Sequence, residues 1–480
     1  MQPGKTPGRG PGEGFPSPKV VLFLLAGIFL VILIGKLFKD KTLAPSGAAS
    51  PMGTWTASVT VAPRSRPVRV SGTSSRSGAA LTSQQTPQEI VAAKVMKFGK
   101  NRREVARAIA RRLNLKVPDE VERFFDAVEG GRWDEIDAAH RAMLEDEKQL
   151  NQPKTAELHH FWRPIQEVWG AAGEAQNWPA QRLLDYGNAI LDSLRPGMIY
   201  AGGTDPGCFI PTMMNETSDG DKHIVLTQNA LADGTYLNYL DVLYGDQMAT
   251  LTQDDSQRAF SEYLADAQKR LEHDQQFPNE PKQLKPGEDV KVVDGKVQVT
   301  GQVAVMAINE KLFQMLMDKN PDASFAMEES FPFKSMYGTA SALGPIIEMG
   351  TAPQQSDLNA TQAAQSVDYW QTAAAQLLSD PDTPQGSDAR KAYSKLISSQ
   401  AGLLVDHGLS TEAEQEFRIA LQLTPESPEA VFRYVNLLMS QNRVADALPV
   451  VENAIKAAPD NEQLQGLRNN LNDIKRSQGR

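Results

Sequence analysis

Apolar residues recur at helical spacing on both sides of a central region that follows a different pattern. Within residues 89–116 the regularly spaced apolar positions are Val91, Val95, Phe98, Val105, Ile109 and Leu113. Such spacing places them along one side of a predicted helix. Residues 118–144 carry two further apolar stripes interrupted by Gly130-Gly131, which predicts a helical hairpin. We therefore expect residues 89–177 to form a helical region.

Short apolar runs alternate with helical segments in the central region, residues 178–350. Strands are predicted at Met198–Ala201, His223–Asn229, Ala323–Ser330 and Pro345–Gly350. A hairpin is predicted at Asp289–Thr300, with Asp294-Gly295 as its two-residue turn. Strands that alternate with helices are typical of an open α/β sheet, so we expect a central α/β domain.

A 34-residue period marks the C-terminal part of the chain, residues 356–480. The residues that stand 34 positions apart are Leu404 and Leu438, Ala413 and Ala447, Phe417 and Val451, Ala420 and Ala454, and Pro425 and Pro459. This order of small, large apolar, small and proline positions resembles the tetratricopeptide repeat, which has the same length. The resemblance predicts units at 394–427 and 428–461 and a capping helix at 462–476.

The same resemblance implies a surface for a protein partner. In that family the first helix of each unit lines a concave face. The candidate groove residues here are Lys395, Asp406, Glu429, Phe432, Asn436 and Met439. Two units rarely stand alone, since each buries its apolar face on its neighbours. The alternative is therefore that this face packs on the α/β region or on a helix predicted at Ser356–Leu378.

Uncharged apolar residues run without interruption from Val20 to Gly35, after a short tail at residues 1–19. Extended to Phe38, this segment would be about 28 Å long as a helix, close to the hydrocarbon thickness of a bilayer. We expect residues 20–38 to be a transmembrane helix and signal anchor, with the body on the non-cytoplasmic side. The alternative is a cleaved signal peptide. Residues 42–88 are rich in Ser, Thr, Ala, Pro and Gly and contain no acid, which predicts a disordered tether.

Charge is divided unevenly along the chain. Residues 1–117 hold 19 basic and 4 acidic residues, a net of +15, so the rest carries −25 of the overall −10. An acidic body makes nucleic acid a poor partner, because phosphate binding needs clustered Lys and Arg. The basic face from Lys94 to Lys116 is expected to contact anionic lipid headgroups, with nucleic acid as a second possibility that no aromatic interleaving supports. The alternative is a solvated face, or one that docks against the acidic body.

Residues that could carry chemistry are few. The single cysteine, Cys208, excludes an internal disulfide and a Cys-based zinc site, and the six histidines form no HExxH pattern. The best candidate pocket is the loop Gly202–Gly207, because ligands of α/β sheets bind at the carboxyl ends of strands. Gly203, Thr204 and Asp205 are its candidate ligand-binding residues. A tight turn in which Asp205 caps the next helix is the alternative.

The runs GGTDPGCF and IVLTQNALADGTYLNYL place Asp205, Phe209, Asn229 and Tyr236 in a recognisable order. With the later NEKLFQMLMDKNPDASFAMEESFP, they resemble the soluble domain of multi-spanning membrane proteins related to protein O-mannosyltransferases. The resemblance implies an accessory or sugar-binding role and adds Asn229 to the candidate ligand-binding residues. This sequence departs from that family because the second loop acid and the many membrane spans are missing.

Together these patterns predict a mostly α fold with a central α/β domain, a single N-terminal transmembrane helix and C-terminal tetratricopeptide repeats. The predicted function is a membrane-tethered interaction scaffold that binds a protein partner through its repeats. The alternative is an accessory or sugar-binding domain, or an enzyme linked to glycosyl transfer, centred on the loop Gly202–Gly207. No catalytic residue, cofactor or metal ligand is assigned from the sequence.

Overall fold

The computed structural model describes residues 85–145, 153–285, 287–293, 296–329, 333–350 and 358–478. Its first helix, α1 (Pro87–Leu113), begins with a capping box. The Thr86 hydroxyl accepts from the N–H of Glu89, and the Glu89 carboxylate accepts from the N–H of Thr86. The helix ends at Asn114, whose φ of 52° lies in the left-handed region. It lies where the apolar spacing predicted a helix.

Helices continue up to the first strand. They are α2 (Asp119–Gly130), α3 (Trp133–Arg141), α4 (Ala156–His159), α5 (Trp162–Asn177) and α6 (Ala180–Ser193). His140 of α3 is fully buried, with its ring stacked 5.0 Å from Trp162 and 4.4 Å from Trp169. Burial lowers the pKa of His140 to about 4, so the ring is neutral at pH 7 and serves as a packing group.

The basic face of α1 contacts acidic side chains of the protein itself. Arg102 is almost fully buried and its guanidinium lies 2.5 Å from the Glu167 carboxylate. Arg103 binds Glu122 in the neighbouring helix α2. Docking of this face against the acidic body, one of the alternatives, is therefore observed for Arg102 and Arg103. Contact of Lys94–Lys116 with lipid headgroups finds no support.

A mixed sheet forms the centre of the molecule. The elements in chain order are β1 (Ile199–Gly202), α7 (Asp205–Thr217), β2 (Ile224–Thr227), α8 (Gly234–Tyr244), α9 (Gln253–Gln276), β3 (Asp289–Val293), β4 (Lys296–Thr300), α10 (Gln302–Lys319), β5 (Phe325–Met327), β6 (Ser341–Leu343) and β7 (Ile346–Met349). The strand order is β2–β1–β5–β7–β6, and β3 and β4 form a separate hairpin. Strand β1 is parallel to β2 and β5, whereas β7 is antiparallel to β5 and β6.

Two elements of this region were not expected from the sequence. Strand β6 is short, and helix α9 buries only a narrow stripe consisting of Asp255, Ala259, Tyr263 and Ala267. Because two of these residues are alanines and one is charged, the helix leaves little hydrophobic periodicity to detect. The predicted hairpin is present as β3 and β4, while its turn residues Asp294 and Gly295 lie outside the described residues.

The C-terminal helices reproduce the 34-residue period. They are α11 (Ala360–Ser379), α12 (Asp388–Asp406), α13 (Ser410–Leu423), α14 (Pro428–Ser440), α15 (Val444–Ala457) and α16 (Glu462–Gln478). Helices α13 and α15 begin and end 34 positions apart, and the turns before them place Gly408 and Asn442 at φ values of 77° and 58°. Phe417 and Val451 are both fully buried. The first unit differs only in that α12 starts at Asp388, ahead of the predicted residue 394.

The expected transmembrane helix and single-pass localisation need correction. Within the described ranges, no helix is both long enough and apolar enough to cross a membrane. Long helices such as α1 and α9 carry charged residues along their exposed faces, and charges are costly in hydrocarbon. Residues 20–38, and residues 42–84 of the predicted tether, lie outside the described residues. The fold class is therefore stated as mostly helical with a small mixed sheet.

Candidate functional site

The loop Gly202–Gly207 joins the end of β1 to the start of α7. Thr204 is the N-cap residue of this helix, because its hydroxyl accepts from the N–H of Gly207 at 3.1 Å. Asp205 is consequently the first residue of α7 rather than its cap, and it is exposed to solvent. Gly203 and Thr204 are buried. The expected alternative of a capping Asp205 is thus replaced by a capping Thr204.

A carboxylate from a distant part of the chain fills this loop. Glu328 directly follows β5 and accepts from the N–H of Gly203 at 3.2 Å and the N–H of Thr204 at 3.0 Å. The hydroxyl of Thr204 also donates to it, at 2.5 Å. A Cβ atom at Gly207 would lie 1.5 Å from a Glu328 oxygen, so any side chain at this position would have to displace the Glu328 carboxylate. The backbone amides that would bind an anion at such a helix start are therefore satisfied internally.

The loop lies at the point of the sheet where the chain changes direction. From β1 the chain first moves to β2 on one side, and it later returns to β5 on the other side of β1. In sheets of parallel strands the loops after two such strands part and leave a crevice, where ligands usually bind. We refer to the space bounded by Thr204, Asp205, Glu328 and Glu174 as the β1–β5 crevice.

The carboxyl groups of the β1–β5 crevice hold their protons more tightly than usual. Burial and, to a lesser extent, the charge of the neighbouring Asp205 together raise the pKa of Glu174 to about 7. Burial also raises the pKa of Glu328, against the opposing effects of the Thr204 hydrogen bonds and the charge of Lys395. The pKa of Asp205 is raised too, because nearby protein excludes part of its water even though the residue is exposed. Carboxyl groups with such shifts are concentrated at functional sites.

The structure brings the four candidate ligand residues together. Asn229 follows β2, and its Nδ2 donates to the backbone oxygen of Gly203 at 2.9 Å. Sequence reasoning missed Glu328, whose only signal was an acid placed directly after a buried strand, and Glu174, which had none. In the part of the chain that the structure describes, no group of three or more His, Cys, Asp or Glu side chains could hold a metal ion.

Lys395 links this crevice to the repeats. It lies on α12, where its Nζ is 3.4 Å from the carboxylate of Glu429 on α14. The charge of Lys395 also lowers the pKa values of Asp205 and Glu328 relative to the effect of burial alone. A predicted groove residue therefore acts on the predicted ligand loop, and the two candidate sites adjoin.

Part of the concave face of the repeats is covered by the protein itself. Glu329, whose side chain is fully buried, pairs with Arg433 of α14. Lys334 pairs with Asp406 at the end of α12, and the ring of His407 bonds to the backbone oxygen of Tyr337. The packing alternative is therefore the arrangement observed at the end of α12 in the first unit and at Arg433 in the second.

The remaining candidate groove residues differ in exposure. Phe432 is only 9% exposed and belongs to the core. Glu429, Asn436 and Met439 are partly exposed along α14. The accessible part of the predicted groove therefore consists of these three residues of the second unit and Lys395 of the first, whose side chain is 34% exposed.

Residues 404–471 match the family described as tetratricopeptide repeat. The match runs from the end of α12 through most of α16 and supports a protein–protein interaction role for these helices. Comparisons of the chain with curated proteins and with solved structures found no match. The resemblance to proteins related to protein O-mannosyltransferases is consequently not supported.

Proposed function

We propose that this protein is an interaction scaffold whose C-terminal repeats bind a partner protein. The observation that carries the proposal is the match of residues 404–471 to the tetratricopeptide repeat. Stacked repeats of this kind form extended concave surfaces that bind other chains. Docking of the repeats on the sheet would hold that surface at a constant orientation to the β1–β5 crevice.

The proposed contact surface is the second unit. Asp406 and Arg433 are engaged by Lys334 and Glu329, so a partner could reach them only by displacing those side chains. Glu429, Asn436 and Met439 are partly exposed along α14 and offer a carboxylate, an amide and a thioether. This mixture is suited to a partner segment that carries both polar and apolar side chains.

The test compares two matched substitutions in the full chain. Asn436→Arg places a large charged side chain on the proposed surface. Asn453→Arg makes the same change at an exposed position of α15, the second helix of that unit. We expect Asn436→Arg to reduce capture of a partner, first identified with the wild-type chain, at least about tenfold, because buried interface positions tolerate unpaired charge poorly. Equal capture by both variants would contradict the proposal, provided that both melt at the wild-type temperature.

A second candidate function is the binding of a small neutral ligand, such as a sugar, in the β1–β5 crevice. It is favoured by the cluster of shifted carboxyl groups at a position where α/β sheets usually bind ligands. Because Glu328 already satisfies the loop amides, the crevice suits hydroxyl groups better than phosphate. Saturable binding of a sugar or sugar nucleotide that Asp205→Ala abolishes and that Asp368→Ala, at an exposed position of α11, preserves would establish this function.

A further inference from the structure

A buried glutamine joins the repeats to the sheet. Gln400 of α12 donates from Nε2 to the backbone oxygens of Gly344 at 2.6 Å and Ile346 at 3.1 Å. Its Oε1 accepts from the indole N–H of Trp370 in α11 at 3.1 Å. If the amide were flipped, Oε1 would face the backbone oxygens of Gly344 and Ile346, and Nε2 would face the indole N–H of Trp370. Neither arrangement allows a hydrogen bond, so these partners determine the orientation of the amide. Oε1 of Gln400 is therefore an acceptor.

The hydrogen of Ser366 is committed to that acceptor. Ser366 Oγ lies 3.0 Å from Gln400 Oε1 and 2.6 Å from Oε1 of Glu416 on α13. A serine hydroxyl has a single hydrogen. If that hydrogen pointed to Glu416, no hydrogen would lie between the oxygens of Ser366 and Gln400. The 2.6 Å contact thus requires a hydrogen that comes from Glu416.

The second oxygen of Glu416 also indicates that this carboxyl group is protonated. Glu416 is fully buried, and its Oε2 has no hydrogen-bond partner among the described residues. A buried ionised carboxylate with an unpaired oxygen is far more costly than a neutral carboxyl group. Both oxygens of Glu416 therefore favour the protonated form.

We propose that Glu416 is a neutral, hydrogen-donating positioning residue, and that its ionisation is a pH-sensitive step that loosens the repeats from the sheet. As a neutral acid, Glu416 donates to Ser366, which donates to Gln400, which in turn holds the β6–β7 turn through Gly344 and Ile346. The ionised side chain has no hydrogen to give. It would draw the hydrogen of Ser366 to itself and leave Gln400 with one partner fewer.

No charge in the surroundings offsets burial. Burial raises the pKa of Glu416 to about 8, and no charged group contributes to the shift. Among the described helices packed on α13, the charged groups of α12 and α14 are engaged with other partners, Arg390 of α12 binds the backbone oxygen of Leu377, and Asp368 of α11 is exposed. The engaged pairs, which include Glu414 of α13 itself, are Asp388 with Lys391, Lys395 with Glu429, Arg433 with Glu329, Asp406 with Lys334, and Glu414 with Arg443.

The direction of the pH effect follows from this raised pKa. Between the ordinary pKa of 4.5 and about 8, the unfolded chain loses the Glu416 proton while the folded chain keeps it. The contribution of Glu416 to stability is therefore fully present below pH 4.5 and falls as pH rises. The unfolding constant increases about tenfold per pH unit until pH reaches about 8. Above that value both states are ionised and the loss is complete.

The experiment measures urea unfolding of the full chain from pH 5 to pH 9 for three matched variants. Glu416→Gln keeps a donor to Ser366 and cannot ionise, so its unfolding constant relative to wild type should fall by roughly 1000-fold across this range. Glu412→Gln makes the same change at a partly exposed position one turn earlier and should follow wild type throughout. Glu416→Leu has no hydrogen to donate to Ser366. At pH 5, where the wild-type carboxyl group is protonated in the folded state, this variant should therefore be less stable than Glu416→Gln.

Parallel curves for wild type and Glu416→Gln would overturn the proposal, as would Glu416→Leu matching Glu416→Gln. If Glu416→Gln failed to fold, carbon NMR of glutamate-labelled wild type would decide the matter. A carboxyl signal that titrates near pH 8 supports a neutral Glu416. Titration of every glutamate near its ordinary pKa refutes it.

Discussion

The repeats and the loop at the end of β1 are stabilised by contacts of very different reach along the chain. In the repeats, Arg443 binds Glu414 from 29 positions away, and Arg418 binds Tyr434 from 16 positions away. In the loop, Glu328 binds Thr204 from 124 positions away. Partners within one or two units recur along the sequence and leave a period. A single distant partner leaves no periodic pattern, so only the repeats could be predicted in detail from the sequence.

The largest effect is expected in the core of the repeats. Phe417 is fully buried and its ring is stacked 5.7 Å from Tyr434. Phe417→Ala should create a cavity and lower the free energy of unfolding by about 3–5 kcal/mol. Limited proteolysis should then cut the C-terminal helices first, while residues 178–350 stay protected. Glu412→Ala, on the same helix, should change stability by less than about 0.5 kcal/mol. Equal stability of the two variants would show that the repeat register is wrong.

The next effect concerns the contact between the two regions. Arg433→Met removes the guanidinium that pairs with the fully buried Glu329. Leaving that carboxylate unpaired should lower stability by roughly 3 kcal/mol, as is usual for a broken buried pair. Adding Glu329→Met should restore most of the loss, because the unpaired charge is then gone. A double-mutant cycle in urea measures this coupling, and simple additivity would mean that the pair does not join the two regions.

A smaller effect is expected in the loop itself. Glu328→Ala leaves the N–H groups of Gly203 and Thr204 without their acceptor and should lower stability by about 2 kcal/mol. The control is Glu348→Ala on β7, which breaks the partly exposed pair with Arg195 and should have an effect of about 0.5 kcal/mol. Thermal melts of both variants check the difference. Similar losses would mean that the carboxylate in the loop is not structurally special.

The smallest effect is expected at a turn that recurs with the 34-residue period of the repeats. Asn442 and Gly408 occupy equivalent turns, both with positive φ. Asn442→Ala should lower stability by about 1 kcal/mol, because a residue with a Cβ atom and no local hydrogen bonding disfavours the left-handed region. Asn442→Gly should be neutral or slightly stabilising. Thermal melts would contradict the assigned equivalence if Ala and Gly at this position behaved alike.

The candidate ligand-binding residues chosen from the sequence are neighbours in the structure, and their role stays a prediction. Gly203, Thr204, Asp205 and Asn229 do lie together, because residues that follow neighbouring parallel strands meet at one edge of a sheet. Asn229 was included only through a resemblance that the comparisons do not support. The acid that completes the loop, Glu328, is buried, and its only signal in the sequence was its position directly after an apolar strand.

By itself the sequence determined the repeats, since each helix packs on neighbours within about one period and small and large apolar positions must recur to allow it. Only the tertiary structure decided that Glu329 and Lys334 pair with Arg433 and Asp406 of the repeats and that Lys395 lies beside the ligand loop. It also decided that Glu416 is sealed among uncharged groups. Ion pairs and hydrogen bonds between distant residues depend on where the whole chain places them, and that placement has no periodic signature in the sequence.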